Sequence, residues 1–388
     1  MRLSEKLLSV EPSATLVITS KAKAMRAAGE DVIILAAGEP DFDTPDVIKD
    51  AAIKAIKDGF TKYTPAAGTK TLKEAICSKL KKDNGLGYAT DEIVISCGAK
   101  HSIYNVLLAI CNPGDEVLIV SPYWVSYPEM AKLAGAVPKI LKTTLESGFK
   151  VSADDIKAAL TDKTRAIIIN SPSNPAGVVY SEDELKAVAA VCVEAGITII
   201  SDEIYEKILY DGREHVSIAS LSDEARALTV TINGVSKSHS MTGWRIGYMA
   251  GDKKIAGLVS TLQSQSTSNP CSISQAAAEC ALTVDLDKDI KDNSDMFQKR
   301  RDFLVNCITD GSTIRPLAPE GAFYLFCDIS DYGLDSMTFA KRLLEETKVA
   351  VIPGGPFGDD RFVRISFATD LKTIEEGAER IKKWANEL

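Results

Sequence analysis

The stretch RAIIINSPSNPAGVVYSEDELKAVAAVCVEAGITIISDE (165–203) decides the fold. It opens on one apolar run, RAIIIN (165–170), and closes on another, ITIIS (197–201). Both are rich in isoleucine and neither alternates polar with apolar residues, the pattern of strands buried on both faces. Between them SEDELKAVAAVCVEA (181–195) has helical spacing, and Ser181 followed by Glu184 is a capping-box signature at a helix start. Working outward, EIVIS (92–96), DEVLIVS (115–121) and LTVTIN (228–233) repeat the buried-strand pattern. Strands and helices alternating in this way predict an α/β fold with a mostly parallel sheet.

The chain ends read differently. DKDIKDNSDMFQKRRDFLVNCI (287–308) has the pattern of a long charged helix. It is followed by AFYLFCDI (322–329), a helix near 336–347, VAVIPG (349–354), RFVRISFA (361–368) and a terminal helix. This is an α+β unit. Segment 1–40 is too short to fold alone and is expected to pack with it. The expected division is a large domain over 41–285 and a smaller α+β domain built from both chain ends, 1–40 and 286–388.

With 388 residues, the chain suits two domains. Its net charge of −9 argues against a general nucleic-acid binder, which needs a basic footprint. No apolar run approaches the ~20 residues that span a bilayer, and residues 1–10 lack the apolar core of a signal peptide. The eight cysteines form no CxxC pair and the three histidines share no metal-ligand spacing. Small core cysteines in a reducing, cytoplasmic setting fit better than a disulfide framework or a metal site. With so few histidines, the proton carrier of any enzyme here is expected to be another residue type.

Five segments could carry chemistry. In NGVSKSHSMTGWRIGY (233–248) a strand gives way to a small polar turn containing Lys237, which is either a solvated lysine or a Schiff-base nucleophile. Arg245, between Trp244 and Ile246, reads as an arginine in an apolar strand and calls for an anionic partner. In ITIISDEIYEKI (197–208) Asp202 leaves a buried strand, either as a structural pair or as a carboxylate held against a cation, with Tyr205 three residues on. INSPSNPAG (169–177) is a stiff loop in which Pro175 biases Asn174 to extended backbone; it is a common turn or a site loop. SCGAKHS (96–102) passes through Gly98-Ala99 into a helix whose N–H groups can seat a phosphate, although the Walker A spacing is absent. In FVRISFA (362–368) Arg364 either snorkels from an edge or clamps a carboxylate.

Together and in this order the segments resemble a fold-type I pyridoxal-phosphate aminotransferase, and most nearly the bacterial aspartate aminotransferase group that includes prephenate aminotransferases. The likeness runs through nearly the whole chain and takes in PSAT (12–15), AGEPDFDTP (37–45), KYTPAAG (62–68) and PGDEVLIVSPYWVSYPEM (113–130). It implies that Lys237 bonds to pyridoxal 5'-phosphate and afterwards shuttles the substrate proton. It implies that Asp202 keeps the pyridine nitrogen protonated, that Tyr205 and Asn174 reach the ring's phenolic oxygen, and that Trp124 stacks on the ring. Arg245, Ser236 and the Gly98-Ala99 amides would hold the phosphate, with Tyr63 supplied by the second subunit of a homodimer. Arg364 would clamp the substrate α-carboxylate, beside Gly38 and Asn174. Gly234 departs from the many relatives that carry serine there, so the phosphate loses one hydroxyl contact.

The likeness also bears on substrate. Lys100 and Thr15 match positions that contact an acidic side chain. Aspartate or glutamate is the implied donor and 2-oxoglutarate or oxaloacetate the acceptor, in a ping-pong reaction. The alternatives are a prephenate or broad aromatic and acidic transaminase, a related lyase, and a non-enzymatic binding relative. Members that use prephenate carry a basic residue just before PSAT; Glu11 stands there and argues against it unless its side chain points to solvent.

Overall fold

The computed structural model describes residues 2–388. Its strands are β1 (Ile33–Ile34), β2 (Ile93–Ser96), β3 (Glu116–Ser121), β4 (Val137–Lys142), β5 (Thr164–Asn170), β6 (Thr198–Asp202), β7 (Thr229–Gly234), β8 (Gly247–Ala250), β9 (Arg315–Leu317), β10 (Tyr324–Asp328), β11 (Val349–Ala350), β12 (Ile352–Pro353) and β13 (Phe362–Ser366). Strands β2 to β8 form one seven-stranded sheet in the order β2-β8-β7-β6-β5-β3-β4. The apolar runs are buried on both faces: Ile168, Ile200 and Val230 join one core cluster, while their chain neighbours Ile167, Ile169 and Ile199 join the opposite one. Helix Glu182–Ala195 joins β5 to β6, and Ser181 caps it in the capping box its sequence signals.

The sheet is mixed. Strands β4, β3, β5, β6 and β7 run parallel, but β8 is antiparallel to both β7 and β2. Sequence pattern gives no sign of β8, because Gly247–Ala250 is a four-residue strand inside a segment that reads as a turn. The structure also corrects the placement of Arg245. It lies in no apolar strand but just before β8, exposed, with φ 57°. Turning the chain there keeps Ile246 buried and leaves the arginine at the sheet's rim.

The second unit has a four-stranded sheet, β12-β13-β10-β9, flanked by helices Asp287–Thr309, Ser336–Thr347 and Leu371–Ala385. VAVIPG divides between two sheets, β11 pairing with β1 and β12 with β13. The β1–β11 pair ties residues 33–34 of the N-terminal segment to the C-terminal unit. Helix Glu5–Leu8 instead lies against helix Ser126–Leu133.

Asp202 ends β6, and the loops that leave the C-terminal ends of β5 and β7 carry Asn174 and Lys237, the usual location of ligand crevices in such sheets. Beside them β8 presses against the start of helix Ala99–Ile110. A Cβ on Gly247 would sit 2.5 Å from the Gly98 carbonyl carbon, and one on Gly234 would sit 2.9 Å from Gly247. Three backbones thus meet with no room for a side chain, which accounts for glycine at 234 in place of serine. Gly247→Ala is expected to cost about 1–3 kcal/mol through this overpacking, read as a lower urea midpoint with an unchanged m-value.

Candidate active site

One cavity of about 390 Å³ gathers almost every residue the sequence points to. It is lined by Thr15, Gly38, Ala99, Lys100, Trp124, Asn174, Asp202, Tyr205, Ser236, Lys237, Arg245 and Arg364. Gly98 lies directly behind Ala99 as the residue preceding the helix. Tyr63 is not among the lining residues and is 91% exposed.

Lys237 is half-buried beyond the end of β7, and its Nζ donates to the Gly38 carbonyl at 2.5 Å. Burial pulls its pKa down to about 8, helped by Arg364 and Arg245 and opposed by Glu39. A substantial neutral fraction is then available near pH 7 to 8, as a base requires. Asp202 ends β6. Its Oδ2 accepts from the Tyr127 hydroxyl at 2.6 Å and its Oδ1 from the Ile204 amide at 3.3 Å. Burial pushes its pKa up to about 6 against these two hydrogen bonds. A carboxyl held in this way has no cation in contact, which suits it to receive one.

Arg364 is 1% exposed, in the middle of β13 between Ile352 and Phe326. Its Nη1 donates to Asn174 Oδ1 at 2.9 Å and its Nη2 to the Ala36 carbonyl at 3.1 Å. Its guanidinium lies 4.2 Å from the Tyr324 ring centroid, and its Nε, fully buried, has no partner. Asn174 is itself held by Asn170, whose side chain accepts from the Asn174 amide at 2.9 Å. The Tyr205 and Tyr324 hydroxyls are 2.9 Å apart.

Gly98 has φ +92°, and a Cβ there would run into the Arg245 guanidinium. Glycine therefore lets the arginine lie over the start of helix Ala99–Ile110, where it donates to the Cys97 carbonyl at 3.2 Å and the Thr242 carbonyl at 2.8 Å. A helix N-terminus and an arginine at one end of a cavity make an anion seat. Lys100 points its Nζ over the Trp124 ring at 4.7 Å, and Trp124 meets Tyr127 edge-on.

Sequence reasoning missed Tyr127, Tyr324, Glu39 and Thr242. Glu39 lines the cavity and accepts from the Thr242 hydroxyl at 3.0 Å. Tyr127 lies three residues after Trp124, one turn along, and that spacing was its only available signal. Glu11 is exposed and outside the cavity lining, with its amide tied to the Glu129 carboxylate at 3.1 Å, so its charge does not face a ligand in the cavity. Glu203, Glu206 and His215 bring ligand-type atoms within 4.8 Å of one another behind the site, but Lys79 is ion-paired there with Glu206.

The donor set fits pyridoxal phosphate on three observations: the anion seat, the buried Asp202 carboxyl and the Lys237 amine with its lowered pKa. The unpartnered Nε of Arg364 leaves capacity for a further anion. A mixed α/β sheet whose strand ends carry these groups defines a pyridoxal-phosphate-dependent transferase. Comparison with known proteins narrows this. Residues 30–381 match the sequence family described as aminotransferase class I and II. The chain is 50% identical to an aspartate aminotransferase of Bacillus sp. (strain YM-2), over 98% of both chains. It is 47% identical to a probable aspartate/prephenate aminotransferase of Aquifex aeolicus, over 100% of this chain and 99% of that one. The structure of the Thermus thermophilus aspartate aminotransferase with maleate superposes with a TM-score of 0.95 at 40% identity, covering 99% of this chain and 100% of that one. The chain belongs to the aminotransferase class I and II family and is a pyridoxal-phosphate-dependent aminotransferase.

The Asp202 pKa of about 6 lies above the 3.8 of an unfolded aspartate. In the cofactor-free protein the extra proton binds more tightly to the folded state. The stability this contributes is present at low pH and is lost as pH rises through 6. Relative to Asp202→Asn, cofactor-free protein is expected to lose about 1.4 kcal/mol between pH 5 and pH 8. Urea unfolding at the two pH values measures it, and equal differences would count against a raised Asp202.

Proposed function

We propose that this enzyme transfers the amino group of L-aspartate, or glutamate, to 2-oxoglutarate, or oxaloacetate, in a ping-pong reaction. The observation that carries the reading is the pairing of Arg364 with Lys100 in one cavity that also holds Lys237. Two cations lining one cavity with an amine suit a dicarboxylic amino acid. The names of the full-length relatives support the same choice.

Pyridoxal phosphate, when bound, supplies a carbon that takes up the amino group and a ring that accepts the electron pair left at the substrate Cα. The remaining work falls to the chain. Arg245, the Gly98-Ala99 backbone and Ser236 bind the phosphate, with Tyr63 reaching in from the partner subunit. Asp202 would hold the ring nitrogen, Tyr205 and Asn174 would hold the phenolic oxygen, and Trp124 would pack on the ring. Arg364 grips the α-carboxylate in the bidentate manner open to a guanidinium, beside Gly38. Lys100 and Thr15 face the side-chain carboxylate. Lys237 Nζ takes the proton from Cα, and its pKa of about 8 matches that task.

In this reading residues 41–285 form the large cofactor-binding domain, and 1–40 with 286–388 the small one. The assembly is a homodimer: Val47, Ile53 and Ile56 stand exposed along helix Asp46–Lys57, and Tyr63 beyond it is free to reach across. All eight cysteines are free, consistent with a cytoplasmic setting. No helix among the described residues is long and apolar enough to cross a membrane. Prephenate as a second amino acceptor is favoured by one observation, the position of Glu11 outside the cavity.

With aspartate and 2-oxoglutarate, double-reciprocal plots at several fixed acceptor concentrations are expected to be parallel. Lys237→Ala should reduce turnover by roughly 10³-fold or more. Full activity in that variant would sink the assignment. Arg364→Lys should raise the aspartate KM at least ~10-fold, since one ammonium cannot replace a bidentate fork. Rates with prephenate in place of 2-oxoglutarate decide the second reading.

A further inference from the structure

We propose that Tyr127 is a positioning residue for Asp202: its hydroxyl, donated to the buried carboxylate, keeps Asp202 ionised and aimed to receive a cationic ring nitrogen. The inference rests on the role given to Asp202 above.

The geometry leaves Tyr127 little else to do. Among the described residues only two groups donate to the Asp202 carboxylate, the Tyr127 hydroxyl at 2.6 Å and the Ile204 amide at the longer 3.3 Å. A phenol donating to a carboxylate is a charge-assisted hydrogen bond, about twice as strong as a neutral one. The direction of donation is fixed. Burial and the neighbouring carboxylate hold the Tyr127 hydroxyl well above its ordinary pKa, so it stays protonated. The tyrosine is also locked in place. Its amide donates to the Trp124 carbonyl at 2.9 Å, and its ring meets the Trp124 ring edge-on, 5.4 Å between centroids. One side chain therefore holds both the carboxylate and the aromatic wall of the same cavity.

Without that hydroxyl the buried carboxylate keeps one weak donor, and a carboxylate so placed takes up a proton instead. A neutral Asp202 offers no charge to a cation. The charged groups around it cannot compensate. Lys237, from the loop after β7, favours ionisation, and Glu203, the next residue, opposes it.

Tyr127→Phe removes the hydroxyl and keeps the ring against Trp124. In the holoenzyme the cofactor dissociation constant is expected to rise roughly tenfold or more, the range for a hydrogen bond to a charged group. Turnover with aspartate should fall by a similar factor while KM stays within about twofold. In cofactor-free protein, the pH dependence of stability relative to the matching Asp202→Asn variant should move up by about one pH unit. In the Asp202→Asn background, Tyr127→Phe should change cofactor affinity by less than about twofold, because the hydroxyl acts through the carboxylate. Wild-type cofactor affinity with an unmoved pH profile in Tyr127→Phe overturns the proposal, as does an equal loss in both backgrounds. If Tyr127→Phe does not fold, adding Asp202→Asn should restore folding, and failure to do so also overturns it. Asp202→Asn binding cofactor as tightly as wild type would overturn the reading of Asp202 itself, and the proposal with it.

Discussion

Five cations, Lys23, Lys100, Lys237, Arg245 and Arg364, line one cavity, and none forms an ion pair among the described residues. Lys237 bonds the Gly38 carbonyl, Arg245 the Cys97 and Thr242 carbonyls, and Arg364 the Asn174 side chain and the Ala36 carbonyl, while Lys100 lies over Trp124. For the buried Arg364 and the half-buried Lys237, removing charge from water without a counter-ion is expensive. Carbonyl oxygens offset part of that cost, and lowered pKa values at Lys237 and Lys100 show the remainder. An anionic ligand in the cavity offsets more of it. The chain's net charge of −9 thus gives no guide to its ligands, because five cations line this cavity with two carboxylates, Glu39 and Asp202.

The architecture was legible wherever burial imposes a run of one residue type. Residues Ile167 to Ile169 pack on opposite faces of the sheet in turn, so each must be apolar, and the uniform run follows. The Ser181 and Glu184 pair signals a helix start because the interaction is local, three residues apart. The long helix Asp287–Thr309 was visible for the same reason. Lys237, Asp202 and Asn174 were flagged by position, each just at or past the end of such a run.

What stayed hidden depends on contacts between distant parts of the chain. Strand β8 is short and owes its place to the fit of Gly247 against Gly98, which no local pattern records. Arg245 looks like a strand residue because its neighbours Trp244 and Ile246 are apolar. Only the left-handed turn, φ 57°, separates it from them. Tyr324 is hidden in a strand that would be apolar in any case, and its hydroxyl gains meaning only against Tyr205, 119 residues away. Glu39 likewise acquires a role from Thr242 across 203 residues. Family resemblance reached the site more directly than pattern did, because it carries the three-dimensional outcome of such contacts.

The segment from Ala36 to Thr44 shows how the two sheets are held in register at the site. Its Ala36 carbonyl accepts from Arg364, and two residues on its Gly38 carbonyl accepts from Lys237. Beyond them Glu39 meets Thr242, Asp41 receives both Nη atoms of Arg300, and the Thr44 hydroxyl donates to Ser240 while accepting from Trp244. A strap fastened at both ends to different units cannot let one slide without straining the other. Arg364 and Lys237 are thereby tied to carbonyls of one stretch of only three residues, Ala36 to Gly38. The spacing of the two accepting carbonyls is set by backbone geometry. The strap therefore couples the C-terminal unit, through Arg364, to the loop after β7, through Lys237, at the cavity they share.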